Sequence, residues 1–189
     1  MNRICRYISF AGGLLLVLAL PAVSCAHPET GFLPDAVAET EYKIVVEINP
    51  GDIQTRNRLG IVLFRKNKLG EAARQFNEVL KISPRDFDAH DGMGLVSSKT
   101  GRYKEAVSWF TKAIALRRED TMVHYGLGFA FEQLGNLDEA EKCYRQALVV
   151  NESLLRKGVN RELEVGKTKI VQSALQSLQA KRTLRRGKR

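Results

Sequence analysis

The chain has 189 residues, 44% of them hydrophobic and 27% charged, a composition that fits one globular domain and excludes a disordered chain. The formal net charge is +9, and it comes from residues 156–189, which hold 11 Lys/Arg and 2 Asp/Glu, while residues 1–155 are neutral. Binding to a polyanion would therefore have to use the C-terminal segment.

Residues 1–26 have the order of a secretory signal peptide. Arg3 and Arg6 precede a mostly apolar, uncharged run at residues 8–20, and Pro21 and small residues follow. The run is shorter than the roughly 20 residues that span a bilayer, so we expect cleavage and export. The alternative is an uncleaved signal anchor, because the uncharged stretch continues to Pro28.

The cleavage site has two interpretations. Residues 22–25 read Ala-Val-Ser-Cys and resemble a bacterial lipobox, in which small residues precede a cysteine that becomes lipidated. The ordinary signal peptidase would instead cleave after Ala26 or after Ser24. We favour lipidation of Cys25, which predicts an exported protein, either periplasmic or anchored to a membrane and facing the periplasm.

An internal repeat of 34 residues follows, in three segments that begin at Leu59, Met93 and Leu127 and align without gaps. The glycines and alanines that recur let two helices approach closely, and the recurring aromatic rings fill the space beyond them. Prolines at residues 50 and 84 end the second helix of a repeat. The recurring residues are Gly60, Gly94 and Gly128, then Ala72, Ala106 and Ala140, then Phe76, Phe110 and Tyr144.

This pattern resembles the tetratricopeptide-repeat (TPR) family, whose signature places Leu-Gly, Ala, an aromatic residue and Pro at these intervals. The resemblance implies an all-α, right-handed solenoid of helix-turn-helix repeats, with a concave groove lined by the first helix of each repeat. About three stacked repeats suffice to bury the apolar faces. The register predicts a linker and half repeat at residues 27–52 and full repeats at residues 53–86, 87–120 and 121–154.

The register fails after Asn151, and apolar residues recur at helical spacing from Thr168. This spacing predicts an amphipathic helix within residues 155–189. We interpret the helix as a C-terminal cap on the last repeat, with docking on a membrane or partner as the alternative. Residues 181–189 are expected to form a solvated basic tail.

The partner-binding candidates come from the first-helix positions that line the groove in TPR proteins. Arg65 and Lys99 lie one repeat apart beside two apolar rings, so we expect a partner peptide or helix, that is an extended or helical segment, with an acidic group near an aromatic or aliphatic anchor. The positions of the family's clamp for peptide carboxylates agree only at Asn57, so that clamp is not predicted. The candidates are Asn57, Phe64, Arg65, Lys99, Tyr125, Phe129 and Gln133.

No catalytic site, cofactor or metal site is predicted. His90 and His124 occupy equivalent positions where the family favours Trp, and no third ligand is suggested nearby. They are interpreted as partly buried rings rather than as a metal pair or pH switch. Cys143 is expected to be an inert packing residue, and the cysteines predict no disulfide framework.

These observations predict a non-enzymatic protein–protein interaction scaffold of the bacterial cell envelope, for example an assembly factor for an envelope machine. Its partner is another protein, and a lipid anchor would attach it to the membrane. The alternative function is binding of a polyanion or membrane surface through the basic C-terminal segment. Nucleic acid is disfavoured because export leads to the wrong compartment, and no small-molecule substrate is predicted.

Overall fold

A computed structural model describes residues 34–186, so the predicted signal peptide and Cys25 lie outside the described residues. Within residues 34–186 every regular element is a helix, which confirms the all-α fold class. The helices are α1 Asp35–Ile48, α2 Ile53–Arg65, α3 Leu69–Ile82, α4 Phe87–Lys99, α5 Tyr103–Leu116, α6 Thr121–Gln133, α7 Leu137–Arg156 and α8 Arg161–Arg186.

The first helices of the three repeats begin at aspartates spaced 34 residues apart. Asp52, Asp86 and Asp120 precede α2, α4 and α6, and each carboxylate accepts a hydrogen bond from a backbone N–H in the first helical turn. Such caps satisfy donors that a helix leaves free at its start. The caps therefore fix where each first helix begins.

Consecutive helices pack on one another from α1 to α8, and the first helices α2, α4 and α6 also contact each other along one side. This arrangement is the predicted solenoid, with the first helices forming a continuous surface. α8 contacts both α7 and α6, so it occupies the place that the first helix of a further repeat would take. The predicted C-terminal cap is therefore present.

The core of each repeat is an aromatic ring pressed against glycine. Phe76, Phe110 and Tyr144 are fully buried. A Cβ built on Gly60 would lie 2.6 Å from the Phe76 ring, and one built on Gly94 would lie 2.5 Å from the Phe110 ring. The repeated glycines thus hold the two helices of a repeat in close contact, as the sequence predicted.

Two further glycines, which the repeat pattern did not single out, hold neighbouring repeats together. Gly92 in α4 lies against Phe76 of the preceding repeat, and a Cβ on Gly126 in α6 would lie 2.7 Å from Phe110. Each of these rings is therefore enclosed by glycines from two successive first helices.

α8 differs from its sequence prediction in extent and in its contacts. It begins at Arg161 rather than near Thr168, and it continues to Arg186. Lys181 forms an ion pair with Glu132, and Arg182 pairs with two carboxylates of α7. Lys181 stays exposed, as expected for a solvated tail, but both residues belong to α8 and are bound by acidic side chains of the last repeat, which the sequence did not predict. No helix within residues 34–186 is long and apolar enough to cross a membrane.

Candidate partner-binding groove

A cavity of about 520 Å³ opens on the surface formed by the first helices, and we call it the groove cavity. α2, α4 and α6 supply most of its lining, and α5 adds two aromatic residues. Its apolar walls surround one carboxylate and one ammonium group. The lining residues are Phe64, Asp91, Leu95, Ser98, Lys99, Tyr103, Phe110, Met122, Tyr125, Gly126 and Phe129.

Four of the predicted groove residues are brought together in this cavity, namely Phe64, Lys99, Tyr125 and Phe129. The Phe129 ring meets Tyr103 edge-on, with the ring centroids 6.3 Å apart. Edge-to-face packing of this kind holds both rings in place while leaving part of each open to the cavity. The cavity therefore presents positioned aromatic surface.

The other three predicted residues lie elsewhere. Asn57 is buried, and its amide donates a 2.9 Å hydrogen bond to Asp86, the cap of α4, so it joins two repeats. Arg65 donates hydrogen bonds from Nε, each 3.1 Å long, to both carboxylate oxygens of Asp35 in α1. Gln133 is exposed and does not line the cavity.

The pairing of Arg65 with Asp35 changes the charge of the groove. The hydrogen bond from Arg65 is the main cause that holds the pKa of Asp35 below its usual range. The positive charge of Arg65 is thus matched by a carboxylate of the half repeat. Lys99, in contrast, is exposed and lines the groove cavity.

Asp91 is the one acidic residue of the cavity lining. Its pKa is raised to about 7, first by desolvation and then by the charges of Asp120 and Asp88, while Arg117 acts in the opposite direction. Asp91 was not among the predicted binding residues, and its place beside the aromatic rings of the cavity becomes evident only from the fold. Tyr103 was missed because it lies on α5, a second helix, whereas the family's groove positions lie on first helices.

Tyr144 and Glu132 fix the end of the groove nearest α8. The Tyr144 hydroxyl donates a 2.7 Å hydrogen bond to Glu132, and its ring packs beside Tyr125 at a centroid distance of 5.7 Å. Desolvation and then this hydrogen bond raise the pKa of Tyr144. The hydroxyl therefore remains a hydrogen-bond donor, and the ring of Tyr144 packs against the ring of Tyr125.

The described histidines, His90 and His124, lie near backbone carbonyl oxygens, and the described cysteine packs against the core. His90 Nδ1 lies 2.7 Å from the carbonyl oxygen of Asp86, and His124 Nε2 lies 3.0 Å from that of Arg118. Burial is the main cause that raises the pKa of the Cys143 thiol, to about 11, so it is a poor nucleophile at neutral pH. In the described part of the chain, no cluster of His, Cys, Asp and Glu could hold a metal ion.

Two family profiles match the sequence, and both are described as tetratricopeptide repeat. One matches residues 57–120 and the other residues 122–154, so together they cover just over half of the chain. Comparison with curated proteins finds no match.

Several solved structures have a similar fold. A crystal structure of MamA aligns with a TM-score of 0.57 at 19% identity, covering 78% of this chain and 91% of that chain. MamA 41-end from Desulfovibrio magneticus RS-1 aligns with a TM-score of 0.57 at 21% identity, covering 76% and 86%. MamA MSR-1 C2 gives 0.54 at 23% identity, covering 63% and 68%. At these identities the likeness concerns the fold alone.

Proposed function

We propose that this chain, which belongs to the tetratricopeptide-repeat family, is a non-enzymatic scaffold that holds a segment of a partner protein in the groove cavity. The observation that carries the proposal is the convergence of aromatic surface from α2, α5 and α6 on one concave site. Its volume, about 520 Å³, falls within the range of ligand-binding clefts.

The aromatic residues supply the affinity in this proposal. Phe64, Tyr125 and Phe129 bury apolar surface when a partner side chain enters, and a few such anchors dominate most interfaces. Lys99 lies at the exposed rim, where a charge acts mainly on the association rate and the salt dependence. The cavity presents no nucleophile paired with a base, so it suits binding rather than bond making.

A pull-down from envelope extract tests this function. The full chain, its Phe129→Ala variant and a Val149→Ala control serve as baits, each first shown to be folded by circular dichroism. Val149 is exposed on α7 and lies outside the groove cavity, so its substitution removes apolar surface elsewhere. We expect Phe129→Ala alone to lose the partner, and equal capture by all three baits would contradict the proposal.

We further propose that the scaffold works in the bacterial cell envelope, with a role in assembling an envelope machine as one form of this function. The order of charged, apolar and small residues in residues 1–26 supports export, and the Ala-Val-Ser-Cys sequence supports a lipid anchor at Cys25. Fractionation of cells that express the wild type or Cys25→Ala separates a membrane-anchored protein from a soluble periplasmic one.

The alternative function, polyanion binding by the basic C-terminal segment, is weakened by ion pairs. Five of the basic residues from position 156 onward pair with acidic side chains of the described chain, and this lowers the charge that the segment can offer to a ligand. These five are Arg156, Lys157, Lys167, Lys181 and Arg182.

A further inference from the structure

Asp91, which is half-buried, differs in its contacts from three other carboxylates of the described chain that are shielded from solvent. Glu39 forms ion pairs with three lysines, Glu132 pairs with Lys181 and accepts from Tyr144, and Glu164 pairs with Lys167. Asp91 has no hydrogen-bond or ion-pair partner within residues 34–186, and its neighbouring charges act on it only through space. Partial desolvation of a carboxylate without a partner costs free energy, so a cation that enters the cavity and pairs with Asp91 would be stabilised.

Among the described residues, Arg117 is the cation whose charge acts on Asp91, and its guanidinium contacts other groups. Arg117 lies over the Phe87 ring at 3.7 Å from its centroid and is 3.9 Å from Asp88. Its charge lowers the pKa of Asp91, yet desolvation and the carboxylates of Asp120 and Asp88 outweigh it. The space in front of Asp91 is the groove cavity, lined by Phe64, Tyr125 and other rings whose faces attract cations.

We propose that the groove cavity receives a Lys or Arg side chain of the partner segment, which pairs with Asp91 and lies against the aromatic rings, while an acidic residue of the same segment meets Lys99. This inference rests on the proposed groove-binding function and specifies its ligand. It keeps the acidic group that the sequence led us to expect in the partner and adds a basic residue. It no longer counts Arg65 among the contacts of the partner.

The two charges also set the spacing of the ligand. Asp91 and Lys99 are eight residues apart on α4, which corresponds to about 12 Å along the helix axis. An extended segment that lies along α4 advances about 3.3 Å per residue. Its basic and acidic residues should therefore stand three or four positions apart in the partner sequence. The apolar anchor lies between them, opposite the rings of α6.

Selection from a displayed library of short random peptides tests the proposal on the full chain. The baits are the wild type, Phe129→Ala, Asp91→Asn and Glu105→Gln. Asp91→Asn removes the charge with little change of shape, and Glu105→Gln removes an equal charge from an exposed site on α5 outside the cavity. We expect the wild type and Glu105→Gln to enrich peptides with a basic residue three or four positions from an acidic one, and Asp91→Asn to lose the basic preference.

Titration of one enriched peptide and its Gln-for-basic counterpart completes the test. We expect the counterpart to bind the wild type about tenfold more weakly and to bind Asp91→Asn with little difference. Enrichment that depends on Phe129 but shows no basic preference would overturn this inference and leave the proposed function standing. No enrichment that depends on Phe129 would overturn both.

Discussion

Gly92 in α4 lies against the ring of Phe76, which belongs to the second helix of the preceding repeat. The ring is fully buried, so it has no free space into which to retreat from an added methyl group. We expect Gly92→Ala to lower the free energy of unfolding by about 1–3 kcal/mol, because overpacking forces the ring or the helix to move. Urea-induced unfolding followed by circular dichroism measures this change.

Gly70 in α3 is the matched control for this substitution. A Cβ built there meets no atom within 4 Å, although the residue is also helical. Gly70→Ala should therefore leave the stability unchanged or raise it by up to about 1 kcal/mol, since alanine is favoured over glycine in helices. Equal losses in both variants would show that Gly92 has no particular role between the repeats.

The stability of the protein should depend on pH through Asp91. Its pKa in the folded chain is about 7, against 3.8 for the free side chain, because burial and the charges of Asp120 and Asp88 disfavour the ionised form. A carboxyl group whose pKa is raised by folding stabilises the folded chain most below the pKa that it has in the unfolded chain. This stabilisation is lost as the pH rises to about 7. We expect Asp91→Asn to unfold at a higher temperature than the wild type above pH 7.

Above pH 7 the two proteins should differ in their free energy of unfolding by an amount on the order of 1–2 kcal/mol. This is less than the full pKa shift would give, because Asp91 is only half-buried. The difference should shrink toward zero below pH 3.8, where Asp91 is neutral in both the folded and the unfolded chain. Comparing the two proteins at each pH cancels the effect of other carboxylates, such as Glu39, whose pKa is lowered by its hydrogen bonds to lysines. A pH-independent difference would contradict the raised pKa.

The sequence predicted the helices within repeats better than the contacts between distant segments. The glycine and the aromatic residue recur at the same spacing in every repeat, as at Gly60 and Phe76, so this local pattern was enough to predict that the two helices of a repeat approach closely. The pairing of Arg65 with Asp35 depends on where α1 packs, and no pattern in the sequence gives that position. The charge available in the groove could therefore not be deduced without the fold.

α8 should be held in place by Asn151, which is buried near the end of α7. Its amide donates a 2.6 Å hydrogen bond to the Glu164 carboxylate and a 3.1 Å bond to the Glu164 carbonyl oxygen. We expect Asn151→Ala to cost about 1–3 kcal/mol, because it leaves a buried carboxylate less satisfied. Hydrogen exchange should rise in α8 more than in α4, whereas Glu152→Ala, at an exposed neighbour, should change neither. A uniform rise along the chain would contradict a specific role in docking α8.

If Cys25 is lipidated, the protein should carry covalently attached fatty acid. In a bacterial host given labelled fatty acid, the full chain should take up the label and fractionate with the membrane, because two acyl chains give stable anchoring. Cys25→Ala should abolish both, and Cys143→Ala is the control, since that cysteine is half-buried within the fold. An unlabelled wild-type protein in the soluble periplasm would favour cleavage by the ordinary signal peptidase.

Partner capture should depend on Phe129 far more than on Arg65. Phe129 lines the groove cavity, and truncating such an anchor commonly costs over ~2 kcal/mol of binding free energy. Arg65 is already paired with Asp35, so Arg65→Ala should weaken binding little and act mainly on the half repeat.

Deletion of residues 187–189 separates the groove from the basic C-terminal segment in the same pull-down. This deletion removes basic residues without touching Lys181 and Arg182, whose ion pairs hold α8 to α6 and α7. Capture should be unchanged at physiological salt, because charges outside the groove contribute mainly long-range attraction that salt screens. If the deletion loses the partner while Phe129→Ala keeps it, the basic segment and not the groove is the binding surface.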